Sequence, residues 1–130
     1  MDKIRVLTYS SNKIMSQLTS YVYVGKEKDD LTDKNRFICI WDTGASVSCV
    51  TSNIVEKYNL TSTGKSNFYT GGHCKSRSTD VYSIDLMFRD DFVFNNLRVL
   101  KIEKHDVFDI IIGMDIISQG DFAVSNLNGS

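Results

Sequence analysis

A continuous apolar run, R-F-I-C-I-W over residues 36–41, leads without a break into a carboxylate at Asp42. A run of this length between turn signals suits a strand buried on both faces. A carboxylate at the end of such a strand is costly to desolvate unless something there uses it. The residues that follow, Thr43-Gly44-Ala45-Ser46, suit a tight loop. Gly44 permits a close backbone approach, and the Thr43 hydroxyl can hydrogen-bond back across the turn. A second apolar run, residues 108–112, ends at Gly113 in similar fashion. Asp109 lies within that run and Asp115 just beyond it, but neither is followed by Thr-Gly.

Strand signals dominate the rest of the chain. Residues 4–8 are short and β-rich. Residues 17–24 place Leu18, Val22 and Val24 at even spacing, with Tyr21 and Tyr23 on the other face. Residues 25–35 are charged and polar and suit a surface excursion. Residues 66–70 and 79–88 read as two strands joined by a polar, glycine-led hairpin tip, residues 71–78, that opens Gly71-Gly72-His73. Residues 92–102 form another strand after an Arg-Asp-Asp turn, and residues 121–125 restart one near the end. Two short helices are predicted. Residues 51–58 form one, capped by Thr51 or Ser52, with Glu56 placed to close a loose capping box. The other runs through residues 116–118, capped by Asp115 and stopped at Gly120. Short strands with turns between them make the chain mainly β, and no proline interrupts any of them. With 130 residues, no repeat and no low-complexity linker, one domain over residues 1–130 is expected.

Charge excludes some functions. Fifteen basic and 16 acidic residues leave a net charge of -1, so no basic surplus exists to neutralise phosphates, and nucleic acid is not an expected partner. No apolar run is long enough for a membrane span. Cys39, Cys49 and Cys74 are an odd set, and no long apolar leader stretch stands at the N-terminus, so reduced thiols and a cytoplasmic location are expected. His73-Cys74 is not a zinc spacing and no Cys-x-x-Cys occurs, so neither metal nor cofactor is expected. Gly64-Lys65-Ser66 ends like a P-loop, but Asn59 stands where the first glycine belongs. Cys49 would need a neighbouring histidine to act as a nucleophile, and neither His73 nor His105 has a signature position.

Taken in order, the apolar strand with Asp42-Thr43-Gly44-Ala45, Gly71-Gly72 about 30 residues later, and Ile111-Ile112-Gly113 about 70 residues after the aspartate resemble the signature of retropepsin-like aspartic proteases. The resemblance extends from Gln17 onward. Many viral members carry an acidic residue after Asp-Thr-Gly-Ala and an arginine after the second motif. Here those positions are Ser46 and Met114. Residues 113–122 look like the cellular and bacterial branch. The resemblance implies an all-β protomer, a closed barrel-like sheet with a flap hairpin and one or two short helices. It also implies an aspartic endopeptidase. Two carboxylates a few ångströms apart cannot both ionise, so they share a proton. One then activates a water while the other protonates or polarises the peptide carbonyl. Only one Asp-Thr-Gly occurs, so the second carboxylate must come from another copy, in a homodimer with Asp42 and its mate across a two-fold axis.

By the same resemblance Thr43 exchanges hydrogen bonds with its mate, and Gly44 and Ala45 support the site. Gly71, Gly72 and His73 belong to a flap that closes over an extended peptide or protein substrate bound by strand addition. Ile111, Ile112 and Gly113 form the second apolar-glycine motif. A catalytically silent dimeric module of the same fold, binding peptides or a partner, is the alternative. Asn128-Gly129 is a hairpin signal with no strand after it, where relatives continue with one more strand, so a truncated C-terminus is left open.

Overall fold

In the computed structural model, residues 6–11, 15–70 and 75–125 are described. Among these residues seven strands and two short α-helices follow in chain order: β1 (Thr19–Val24), β2 (Arg36–Trp41), β3 (Cys49–Thr51), α1 (Ser52–Lys57), β4 (Gly64–Thr70), β5 (Lys75–Arg89), β6 (Phe92–Ile102), β7 (Ile110–Ile112) and α2 (Met114–Ile117), with single 3-10 turns at Lys28–Asp30 and Asp33–Asn35 between β1 and β2. Hydrogen bonding orders the sheet β1-β2-β7-β3-β6-β5-β4, and β1 also pairs with β5. That last pairing, Tyr23 to Met87 and Val24 to Leu86, closes every strand but β4 into a barrel. Closure removes the open edges a flat sheet would expose. The chain is thus all-β with a closed barrel and few helical residues. No described helix is long and apolar enough to cross a membrane.

Alternation decides which side chains fill the barrel. Val22 of β1, Cys39 of β2, Val50 of β3, Leu86 of β5, Val99 of β6 and Ile110 and Ile112 of β7 are all fully buried. Their strand neighbours Tyr21, Ile38 and Ile111 face outward to varying degrees. A buried side chain of this size contributes roughly 1.5–3 kcal/mol. Ile54 of α1 and Ile116 and Ile117 of α2 join the same core. β5 is long because it serves two structures. Its first half pairs with β4 as a hairpin, and from Val81 onward it pairs with β6. Register shifts after Ile84 and Met87 bend it into the barrel wall. At the first of these shifts the Asp85 carboxylate accepts the Asn96 N–H at 2.8 Å, and Asn96 takes a left-handed φ of 54°.

Several expectations are corrected. β2 is not buried on both faces. Only Cys39 is fully buried there, and Ile38 is 39% exposed opposite Tyr21 at 52%. The barrel interior covers one face of β2, and no described element covers the outer one. Residues 6–10 lie outside any strand, although Leu7 packs against the core. Residues 121–125 form no strand either, since no described strand pairs with them. β5 begins at Lys75, which narrows the expected hairpin tip to residues 71–74, outside the described residues. Thr51 stands at the N-cap of α1, but its side chain makes no capping bond. Its hydroxyl donates instead to Asp109 Oδ1 at 3.0 Å. α2 starts one residue before Asp115, so Asp115 lies in its first turn rather than capping it.

Candidate active site

β2 ends at Trp41, and the next residue is held by a strand it touches only there. Asp42 N–H donates to Ile112 C=O at 2.9 Å, continuing the parallel pairing of β2 with β7. The half-buried Asp42 therefore emerges where two parallel strands end together. Its loop folds back on it. Gly44 N–H donates to Asp42 Oδ1 at 2.9 Å, and Ala45 N–H donates to Asp42 C=O at 3.2 Å. The first bond fixes the direction of the carboxylate, and the second closes the turn. A β-carbon on Gly44 would stand 3.2 Å from Asp42 Oδ1 and press on the group it aims. Thr43 is exposed at the tip of this loop.

Gly113 fits the other side of the loop. A β-carbon there would lie 2.8 Å from Ala45 O and 2.8 Å from Val47 C, both backbone atoms that cannot turn aside. Glycine lets the turn after β7 lie directly on the loop after β2. Contact is sealed by Met114 N–H donating to Ala45 C=O at 2.7 Å. Ser48, fully buried, sits below. Its hydroxyl accepts Gly113 N–H at 3.0 Å and donates to Asp115 Oδ1 at 2.7 Å. Its own N–H donates to Asp115 Oδ2 at 2.9 Å. Asp115 Oδ1 also accepts Ile116 N–H at 2.9 Å.

Beside the loop, β-register aligns Ile40 with Ile111 and Ile111 with Cys49. These three are partly exposed, while the alternate residues Cys39, Val50 and Ile110 are fully buried. Register partners share a face, so a partly open apolar row flanks Asp42. Burial pushes the Cys49 thiol up to about 11, with the negative charges of Asp115 and Asp42 adding to the effect. Burial also pushes Cys39 up to about 11. Neither thiol is a nucleophile near neutral pH. Two shallow surface concavities, one between Tyr58 and Asp85 and one between Thr19 and Ile38, do not include Asp42.

Of the residues singled out from sequence, the fold brings Asp42, Thr43, Gly44 and Ala45 together with Ile111, Ile112 and Gly113. Gly71, Gly72 and His73 lie outside the described residues. Sequence reasoning missed Ser48 altogether and gave Asp115 a different task. A signal was present: Ser48 is a hydroxyl between Val47, Cys49 and Val50, and a polar group in an apolar run needs a partner.

Residues 31–116 match the sequence family described as aspartyl protease. No curated protein matches the chain in sequence. Among solved structures, the EIAV protease in complex with the inhibitor HBY-793 matches with a TM-score of 0.56 at 19% identity, over 87% of this chain and 93% of that one. The simian foamy virus (mac) protease matches with a TM-score of 0.53 at 15% identity, over 78% and 92%. A retropepsin-like aspartic protease from Rickettsia conorii gives 0.49 at 15% identity, over 86% and 91%. For the two viral proteases, at these identities, the likeness is one of fold.

Proposed function

The chain belongs to the aspartyl protease family and is an aspartic-type endopeptidase, and we propose that it works as a homodimer in which each copy supplies Asp42 to one shared dyad. The observation that carries this is the aimed carboxylate. Asp42 closes an apolar strand, its Oδ1 is held by Gly44 N–H, and it is the only aspartate followed by Thr-Gly. One chain therefore holds half of a two-carboxylate site. Bringing two such loops together about a two-fold axis places like charges side by side, and the pair retains one proton. The ionised carboxylate takes a proton from a water as its oxygen attacks the peptide carbonyl carbon. The protonated one gives its proton to the carbonyl oxygen. The carboxyl that took the water's proton gives it to the leaving nitrogen as the C–N bond breaks, and the other carboxylate takes a proton back from a hydroxyl of the collapsing tetrahedral intermediate.

Thr43, at the exposed loop tip, is placed to meet its mate. Ala45 and the motif Ile111-Ile112-Gly113 form the floor, and the hairpin β4–β5 serves as the flap; Gly71, Gly72 and His73, assigned to the flap from the sequence, lie outside the described residues. The partly open row Ile40–Ile111–Cys49 supports an extended peptide substrate with apolar side chains near the cleaved bond. The site and its support fall within one domain, residues 1–130. Among the described residues Cys39 and Cys49 are unpaired thiols, which suits a reducing compartment.

The test is cleavage of a peptide library by the wild type and by Asp42→Asn, with sedimentation of both. Asn keeps the shape and removes the charge. The variant should lose about 10³-fold or more in turnover while remaining a folded dimer. Cleavage undiminished by Asp42→Asn would overturn the mechanism. Binding of library peptides without cleavage by either protein would favour a silent peptide-binding module.

A further inference from the structure

Ser48 and Asp115, 67 residues apart, are joined by two hydrogen bonds under the Asp42 loop. We propose that this pair is a brace that positions the Asp42 carboxylate for the reaction, an inference that rests on Asp42 being the reacting group. The path from brace to carboxylate is short and continuous. Asp115 grips the Ser48 hydroxyl and N–H, and the hydroxyl receives Gly113 N–H. The turn so held presents Met114 N–H to Ala45 C=O, two peptides beyond the Gly44 N–H that aims Asp42 Oδ1. On the other side of the same turn, Ile112 C=O receives Asp42 N–H. Both ends of the reactive loop thus hang from residues 112–114, and Ser48 with Asp115 anchors the C-terminal end of that segment.

The donors and acceptors leave little freedom in residue type. Asp115 receives three donors: Ser48 N–H, the Ser48 hydroxyl and Ile116 N–H. That surrounding demands an acceptor-only group, which a carboxylate is and a carboxamide is not. Asn at position 115 would turn its NH2 either toward Ser48 N–H or toward Ile116 N–H. Ser48 must accept from Gly113 N–H and donate to Asp115 in the same arrangement, which a hydroxyl does and a methyl does not. Removing it would strand a buried N–H in the turn that carries the loop.

A positioning role is separable from mere stability. The proteins to compare are the wild type, Ser48→Ala, Ser48→Thr, Asp115→Asn and Val22→Ala. Val22 is fully buried in β1 opposite Phe37, away from the brace, and serves as a destabilised control. At concentrations where each is a folded dimer, Ser48→Ala and Asp115→Asn should lose about tenfold or more in kcat with KM within about twofold, since small misplacement of a reacting group costs rate rather than binding. Ser48→Thr, which keeps the hydroxyl, should recover most of the loss, and Val22→Ala should keep kcat. Amide hydrogen exchange at Gly44 and Met114 should quicken in the two brace variants and not in Val22→Ala. Wild-type kcat in folded Ser48→Ala, or an equal kcat loss in Val22→Ala, would overturn the proposal. If the wild type shows no Asp42-dependent cleavage, the protease mechanism fails separately. Hydrogen exchange then decides the brace alone: unchanged protection at Gly44 in Ser48→Ala refutes it.

Discussion

Cys39 holds its proton because the barrel interior leaves its thiolate no solvent, and its pKa is pushed up to about 11 from 9.0. In the unfolded chain the same thiol ionises near its ordinary value. Below that value both states keep the proton and the folded form has its full stability. Between about pH 9 and about pH 11 the unfolded chain gains a charge that the folded one refuses, so stability falls as pH rises. The shift corresponds to about 2 kcal/mol lost by about pH 10.5. Urea unfolding at about pH 8 and about pH 10.5 should show the wild type losing about 2 kcal/mol more than Cys39→Val, which has no thiol to titrate. Equal losses would remove this account. At the same scale, Asp42 and Gly44 were legible in the sequence because a carboxylate ending an apolar run and a glycine two residues on are both exceptional local choices. Ser48 was not, because its partner lies 67 residues away. A hydroxyl's worth is set by what it meets.

At the scale of elements, the contact of the β7–α2 turn with the loop after β2 has no room for a side chain. Gly113→Ala would drive a β-carbon to 2.8 Å from backbone atoms of Ala45 and Val47. It should cost about 2 kcal/mol or more and lower the Tm by roughly 5–10 °C. Gly120, three residues past α2, has nothing within 4 Å of where a β-carbon would stand, so Gly120→Ala should leave the Tm within about 2 °C. Thermal unfolding of the two variants side by side checks both outcomes; equal shifts would refute the close-contact account. Element type was mostly legible here, since alternation in residues 17–24 and 79–88 and the apolar run 108–112 follow strand geometry. Element limits were less so. β5 extends to Lys75 because β4 pairs with it residue for residue. Residues 121–125 have β-type composition yet no pairing strand among those described, and Phe122 instead lies against Trp41 with ring centroids 6.0 Å apart.

For the whole molecule, a site built from two copies makes activity a function of association. Specific activity per chain should fall on dilution below the dimer dissociation constant, in step with dissociation followed by ultracentrifugation. Activity per chain that stays flat while the dimer dissociates would refute the shared site. The sequence alone determined the fold class, and it singled out Asp42 as the proposed reactive aspartate and a second copy as the proposed source of its mate. Each of these depends on local pattern or on count: strand period, an apolar run meeting a carboxylate, and one Asp-Thr-Gly where the chemistry needs two. Only the tertiary structure decided how the strands close, through Tyr23 and Val24 meeting Met87 and Leu86. It alone placed Asp115 under Ser48 and left the outer face of β2 without a covering element among the described residues. These features depend on which distant segments come to lie side by side, and a hydrogen bond or a buried face exists only once both of its sides are in place.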